Sequence, residues 1–331
     1  MPIYCPQVII AHRWIFSESS IRQDHLSTPP CESTRPIMPP LSHAVKHASV
    51  FAVTLAASML ASCMGATVHF PSLDTVKATG RPVELEAMLE KPSGPGPFPA
   101  IILMHGCSGI YSTGKQINAR QAEWAQLLLN EGYVVLHLDS FNPRGYGDVC
   151  SMGPQPVLPY PNRGPDARGA LHWLQSQPYV KPNRIAVLGW SHGGMSVLFA
   201  VDSYRYPHRP SDSAPNFRVA VSFYPLCTGM DKSKWFTTVP TMLLIGEADD
   251  WTPAPPCRAL AERTQTTGRP IEFVSYPGAY HGFEAPGVPV RVMQGIPTAV
   301  NGHSVTIGTD PKARADALTR VPQFLAKYLK D

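Results

Sequence analysis

The sequence predicts an α/β fold in which a mostly parallel central sheet carries helices on both faces. Short, continuous apolar runs recur along the chain, as expected of strands that are buried on both faces. Segments with helical periodicity separate these runs, and glycines or prolines mark many of the boundaries. Strands that alternate with helices favour right-handed crossovers, which place successive strands in parallel within one sheet.

The first predicted unit is a strand, a helix and a second strand. Pro99–Met104 is an apolar run that ends in a turn, and it reads as a strand. Ala119–Asn130 places its large apolar side chains roughly along one helical side, and Gly132 ends that helix. Tyr133–Leu138 then supplies the second strand of the unit.

The same alternation continues to the end of the chain. The further predicted strands are Ile185–Leu188, Val219–Phe223, Thr241–Ile245 and Ile271–Tyr276. The further predicted helices are Asp166–Gln177, Gly193–Ser203, Ala254–Arg263 and Pro311–Leu329. No internal repeat or linker interrupts residues 63–331, so the sequence predicts a single domain there.

Composition and charge exclude some classes of protein. The 331 residues are 44% hydrophobic and 16% charged, which is enough apolar material for a sizeable core. The formal net charge is +4, and no long basic run concentrates it. A nucleic-acid partner is therefore not expected.

The N-terminal segment differs from the rest of the chain. Residues 1–37 show no sustained periodicity, so we expect a disordered or mis-annotated extension with translation starting at Met38. Residues 38–62 have a basic region followed by a short apolar run, the pattern of an export signal. The ending Leu-Ala-Ser-Cys63 resembles a bacterial lipobox, which implies lipid on Cys63 and a periplasmic or outer-membrane-anchored protein. A simple secretory signal, with Cys63 incidental, is the alternative.

Four cysteines remain beyond residue 63, and an even number in an exported protein allows two disulfides. We favour Cys107 with Cys150 and Cys227 with Cys257, because each pair joins loops that the predicted fold brings to one edge. Other connectivities, or four free thiols, stay open. None of the four lies in a Cys-x-x-Cys or Cys/His cluster, so no metal site is predicted.

The stretch Leu-Gly-Trp-Ser191-His-Gly-Gly predicts a nucleophile. Ser191 stands between Gly189 and Gly193, directly after one predicted strand and before a predicted helix. A sharp strand-to-helix turn of this type exposes the serine oxygen above the sheet. An ordinary glycine- and serine-rich loop is the alternative, but it does not explain the buried strand before it.

A serine nucleophile needs a base and an acid, and candidates follow at the next strand ends. Asp249 follows the strand Thr241–Ile245, and His281 follows Ile271–Tyr276. The acid is ambiguous, because Asp250 and Glu247 lie beside Asp249. His105 and His192 are poorer bases.

Backbone N–H groups are expected to bind the oxyanion. One donor is expected at His192, the residue after the serine, and the second at Cys107, because His105-Gly-Cys-Ser-Gly109 resembles the turn of an oxyanion hole. A sharp turn without that role is the alternative for the second segment.

These segments together resemble the dienelactone hydrolase family of the α/β-hydrolase superfamily, over roughly residues 80–330. The matching motifs are Gly-Trp-Ser-His-Gly-Gly, Gly-Glu-Ala-Asp-Asp-Trp-Thr-Pro and Tyr-His-Gly-Phe. The resemblance implies an α/β-hydrolase fold and no metal or organic cofactor. Dienelactone hydrolases proper use cysteine as the nucleophile, and this chain has Ser191 instead. An arginine of the family binds a substrate carboxylate, so Arg144 is either that residue or part of a loop salt bridge.

The expected activity is hydrolysis of a small-molecule ester or lactone through an acyl-enzyme on Ser191. A serine peptidase or carbohydrate esterase on the same fold, and an inactive lipid-anchored binding protein, are the alternatives. The expected membrane contact is only through the lipid anchor. The sequence predicts no oligomeric state.

Overall fold

An eight-stranded sheet runs through the computed structural model, which describes residues 65–207, 213–230, 232–266, 271–300 and 302–330. The strands are β1 (Ala66–Thr75), β2 (Pro82–Glu90), β3 (Phe98–Met104), β4 (Val134–Asp139), β5 (Val180–Trp190), β6 (Val219–Phe223), β7 (Thr241–Gly246) and β8 (Ile271–Tyr276). Their spatial order is β1-β2-β4-β3-β5-β6-β7-β8. Every neighbouring pair from β4 to β8 is parallel. The predicted mostly parallel sheet is therefore confirmed.

Four α-helices of the described residues lie in connections between the parallel strands, and a fifth follows the last strand of the sheet. They are α1 (Ala119–Asn130), α2 (Gly164–Gln175), α3 (His192–Ala200), α4 (Ala254–Thr266) and α5 (Pro311–Leu329). Every residue of β4, β6 and β7 is buried, so both faces of the sheet are covered at its centre. Side-chain caps at Asn118 and Asp310 begin α1 and α5.

The sequence did not predict the antiparallel strands β1 and β2. β2 is rich in Glu, Leu, Ala and Met, which favour helices by intrinsic propensity. Its burial nevertheless alternates residue by residue, because one side of this strand packs on the core and the other faces outward. β1 pairs antiparallel with β2 and forms the edge of the sheet.

A small antiparallel hairpin lies between β8 and α5. Its strands are β9 (Arg291–Gln294) and β10 (Ser304–Ile307), in a segment for which the sequence predicts neither strand nor helix. The hairpin buries few side chains, which is why its sequence lacks a strong strand pattern.

Two disulfides have the pairing that we favoured, and the second joins a loop to α4. Cys107 is bonded to Cys150, and Cys227 is bonded to Cys257. The predicted extension at residues 1–37, the export signal at 38–62 and Cys63 lie outside the described residues. Within the described part of the chain, no helix is both long and apolar enough to cross a membrane.

Candidate active site

Ser191 occupies the sharp turn between β5 and α3. Its backbone has φ 54° and ψ −115°, a conformation that side-chain-bearing residues rarely adopt. The Ser191 N–H donates to the carbonyl of Phe223 (2.9 Å), and its carbonyl accepts from Met195 N–H (2.8 Å). These bonds hold the strained turn between the sheet and the first turn of α3.

Glycines are required on both sides of this turn. A Cβ at Gly193 would lie 2.0 Å from the carbonyl oxygen of Met104, at the end of β3. A Cβ at Gly189 would lie 2.5 Å from the carbonyl oxygen of Gly193. Both contacts are with backbone, which cannot move aside, so any side chain here would displace the turn.

The structure places Asp249 beside His281. Because β7 and β8 are paired with Gly246 opposite Tyr276, the loops after both strands begin at the same sheet edge. His281 Nδ1 lies 2.8 Å from Asp249 Oδ2 and 3.1 Å from the Thr252 hydroxyl. The N–H groups of Trp251 and Thr252 donate to Asp249 Oδ1 (2.9 and 2.8 Å), which fixes the carboxylate. The carboxylate accepts from Nδ1, so Nε2 is the ring nitrogen left for proton transfer.

The other two acids of this loop contact different groups. Asp250 accepts from the backbone N–H (2.7 Å) and the hydroxyl (2.8 Å) of Thr306, on β10. Glu247 is exposed and pairs with Arg258 (2.9 Å). Of the three carboxylates, Asp249 is the one that contacts the histidine.

A network of aromatic and charged groups lies under the histidine. The rings of Tyr224 and Trp251 lie 4.5 and 4.8 Å from that of His281, centroid to centroid. The Tyr224 hydroxyl donates to Glu284 (3.0 Å), which also forms an ion pair with Arg120 (2.9 Å). Burial, and then the charge of Glu284, holds the pKa of Tyr224 well above its ordinary value, so the phenol stays neutral.

The turn after β3 packs against the serine turn. Met104 pairs with Gly189 in the parallel register of β3 and β5, so the residues that follow each strand meet. A Cβ built on Gly106 would lie 3.9 Å from the Ser191 Cβ. The Cys107 carbonyl accepts from Val149 N–H (2.8 Å), and the Cys107–Cys150 disulfide ties the same two segments together.

A cavity of about 270 Å³ lies where these segments meet. Ser191, His281 and Cys107 line it together with Gly106 and Ser108. Its further walls include Arg120, Trp251, Ala285, Val288, Arg291, Met293 and Ile307. The hairpin of β9 and β10 therefore forms part of the wall, and Gly308 N–H anchors it to the His281 carbonyl (3.2 Å).

Residues 85–329 match the Dienelactone hydrolase family. The chain belongs to this family. A protein of Bradyrhizobium sp. named "Probable 2-oxo-3-(5-oxofuran-2-ylidene)propanoate lactonase" is 25% identical over 218 residues, which cover 60% of this chain and 78% of that protein. The "Quorum-quenching protein AidA" of Acinetobacter baumannii is 27% identical over 168 residues, 50% of this chain and about half (48%) of that relative.

Solved structures share the α/β-hydrolase fold of the dienelactone hydrolase family. The crystal structure of a "Putative Dienelactone Hydrolase" from Klebsiella pneumoniae superposes with a TM-score of 0.56 at 18% identity, over 80% of this chain and 100% of that one. Thermogutta terrifontis esterase 2 phosphorylated by paraoxon gives a TM-score of 0.51 at 18% identity, over 80% and 94% of the two chains. The expected fold class is confirmed.

Arg144 is not among the residues that line this cavity, and its contacts favour the second of its two expected roles, a loop salt bridge. Its guanidinium donates two hydrogen bonds to Asp166 (2.9 and 2.8 Å) and one to Asp74 (2.8 Å). A third group, the carbonyl of Ser140, accepts from it at 2.7 Å. Because two carboxylates already occupy its donors, Arg144 is part of a structural ion-pair network, which was the stated alternative.

Several residues of the site were not predicted from the sequence. Thr252 contacts Asp249, His281 and the Tyr224 carbonyl, and it lies in the same motif as the three candidate acids. Arg120 and Arg291 line the cavity from α1 and β9. No sequence pattern indicated either arginine, because each reaches the site through tertiary packing.

Proposed function

We propose that this chain hydrolyses a carboxylic ester or lactone through an acyl-enzyme on Ser191. The observation that carries the proposal is the Asp249–His281 hydrogen bond (2.8 Å), made by a histidine that lines the same cavity as Ser191. Membership of the dienelactone hydrolase family supports the same class of reaction. The three proposed catalytic residues stand at the ends of β5, β7 and β8.

The proposed reaction has two halves. His281 Nε2 takes the proton of Ser191, whose oxygen then attacks the carbonyl carbon of the substrate. The N–H groups of His192 and Cys107 bind the oxyanion, while Asp249 stabilises the protonated imidazole. The leaving alkoxide departs with the proton of His281. Water, deprotonated by the same histidine, then attacks the acyl-enzyme and releases the carboxylic acid.

The test is labelling with a fluorophosphonate probe, which reacts with an activated serine. We expect the unmutated protein to be labelled and Ser191→Ala not to be. Ser108→Ala is the matched control, since Ser108 lines the same cavity but is exposed on a different loop. A folded, unmutated protein that resists the probe would favour the binding-protein alternative, and an ester, lactone, peptide and acetylated-sugar panel separates the hydrolase alternatives.

We further propose that the substrate is small and anionic. The cavity of about 270 Å³ lies near the lower limit for ligand sites. Arg120 and Arg291 line it, and the lactonase relative's name denotes a propanoate. Arg120 is paired with Glu284, so Arg291, which is exposed on β9, is the arginine proposed to meet a substrate carboxylate. Arg291→Gln should raise KM for an ester substrate that carries a free carboxylate. It should not raise KM for the same substrate with that carboxylate methylated, which is neutral.

We propose that the protein is exported and carries lipid on Cys63. The two disulfides support an oxidising compartment, because such bonds are rare in the cytosol. Mass spectrometry of the N-terminus from the native source tests the proposal: an acylated Cys63 is expected, and a mature peptide from residues 1–37 would contradict it.

A further inference from the structure

A fully buried arginine lies behind the serine turn. Arg163 ends an irregular turn, Pro159–Arg163, that leads directly into α2, and its side chain has no exposed surface. Its guanidinium lies over the Phe141 ring, 4.9 Å from the centroid. Burial lowers the pKa of Arg163 to about 9, so the group still carries its charge at neutral pH.

Both hydrogen bonds of this guanidinium go to neutral groups in the two segments that carry the proposed oxyanion donors. One terminal nitrogen lies 2.6 Å from His192 Nδ1, and the other donates to the carbonyl of His105 (2.7 Å). His192 directly follows Ser191, and His105 opens the turn that leads to Cys107. A single side chain therefore bridges the two segments that are proposed to bind the oxyanion.

The His105 side chain links the Arg163 contact to the Cys107 donor through a hydrogen bond. Its Nδ1 lies 2.7 Å from the Gly106 carbonyl, which belongs to the same peptide group as the Cys107 N–H. The Ser140 N–H donates to His105 Nε2 (3.3 Å), so Nδ1 carries the ring proton and donates to Gly106. A hydrogen bond to that carbonyl orients the peptide group and polarises its N–H.

The second histidine is fixed in the opposite tautomer. A guanidinium has only donors, so His192 Nδ1 must accept and its proton must be on Nε2. The Phe141 ring packs edge-on against both imidazoles, at centroid distances of 4.4 Å to His105 and 5.6 Å to His192. Burial, followed by the charge of Arg163, lowers the pKa of both histidines well below the ordinary value, so both rings are neutral.

We propose that Arg163 is a positioning residue for acyl transfer, which joins the two oxyanion-binding segments through His105 and His192 and so sets the rate at which the oxyanion forms. This inference rests on the proposed function, because it assigns Cys107 and His192 as donors. It adds a residue that does not line the cavity and contacts no substrate. Arg163 acts through the geometry of the two N–H groups.

The test compares Arg163→Met with Arg168→Met. Arg168 is a matched control, because it is also largely buried, lies in α2 and donates to a backbone carbonyl, that of Ala200 (3.1 Å). For Arg163→Met we expect kcat/KM to fall by about tenfold to a hundredfold, while KM stays within about twofold. The upper value is the loss expected when one oxyanion donor is removed. Affinity for a trifluoromethyl ketone, whose adduct with serine is an oxyanion, should fall by the same factor. The control should change neither value by more than about twofold.

Arg163→Lys separates charge from geometry. Lysine keeps the charge but lacks the planar fork that reaches both segments, so we expect an intermediate loss. Unchanged kcat/KM in folded Arg163→Met, or an equal loss in Arg168→Met, would overturn the inference while Ser191 still reacts with the fluorophosphonate. If the unmutated protein neither reacts with the probe nor hydrolyses any ester, both the proposed function and the positioning role are wrong.

A measurement on the unmutated protein covers the case in which the variants do not fold. Nitrogen-15 NMR of the histidine rings should show His105 protonated at Nδ1 and His192 protonated at Nε2, with both rings still neutral below the ordinary histidine pKa. Protonation of His192 at Nδ1 would exclude the hydrogen bond from Arg163 and contradict the inference.

Discussion

At the scale of single residues, two neighbouring aspartates of one loop have different partners. Asp249 contacts His281, whereas Asp250 contacts Thr306 on β10. The sequence alone could not separate them, because both follow the same strand. Their contacts now predict different kinetic effects for the same substitution.

Asp249→Asn should reduce kcat by up to about 10⁴-fold, because an amide in place of the carboxylate favours the wrong tautomer of His281. Steady-state kinetics on a phenyl ester checks this value, with circular dichroism to confirm folding. A loss smaller than about tenfold would show that Asp249 is not the acid of the triad.

Asp250→Asn should instead raise KM and leave kcat within a few-fold. The substitution weakens the two hydrogen bonds to Thr306 and so loosens the hairpin that forms part of the cavity wall. The same ester assay measures both constants. A large loss of kcat with unchanged KM would assign Asp250 to the chemistry instead.

The position of a residue in the site is well predicted from the sequence when that residue directly follows a strand. Ser191 does so, and the register of the parallel strands then determines which loops meet. Arg144 could not be placed in this way, because its partners Asp74 and Asp166 lie 70 and 22 residues away. Arg163 is a similar case, since its contacts come from the turn after β3 and from α3 through packing.

At the scale of elements, the six parallel strands and the five α-helices of the described residues follow from apolar runs and helical periodicity. The four remaining strands do not. β2 alternates correctly for a strand, but its residue types favour a helix, and its pairing with β1 and β4 decides the outcome. The hairpin of β9 and β10 is held by Asp250 and by the His281 carbonyl, which are distant in sequence.

The two disulfides form a matched pair for an experiment at this scale. They close loops with sequence separations of 43 and 30 residues, so loop entropy gives each a similar stabilisation, about 4 kcal/mol. Replacing Cys107 and Cys150 by serine should lower kcat as well as stability, because Cys107 is a proposed oxyanion donor. Replacing Cys227 and Cys257 should lower stability alone.

Thermal unfolding and ester hydrolysis, measured well below the lower Tm, check the disulfide prediction. Equal kcat values for the two double variants would mean that the disulfide at Cys107 has no influence on the oxyanion hole.

At the scale of the whole molecule, the buried histidines determine how stability responds to acid. Burial, and then the charge of Arg163, lowers the pKa of His105 and His192 well below 6.5. In the unfolded chain both titrate near about 6.5. As the pH falls below that value, the unfolded chain binds protons that the folded protein does not, so the free energy of unfolding decreases.

The unfolding free energy should therefore decrease by up to about 1.4 kcal/mol per pH unit for each of these histidines below pH 6.5. Urea titrations between pH 7.5 and 5.5 measure the slope. His105→Gln should reduce it, whereas substituting the exposed His69 by Gln should not. An unchanged slope in His105→Gln would show that His105 is protonated equally in both states.

The backbone conformation of Ser191 affects the thermal stability of the whole chain. A residue with a Cβ at φ 54° carries a conformational penalty of roughly 1–3 kcal/mol, which glycine would largely escape. The inactive variant Ser191→Gly should therefore have a higher Tm than the unmutated protein, by several degrees for a domain of roughly this size. Selection for a hydroxyl that faces the cavity would thus have kept the molecule less heat-stable than its own fold allows.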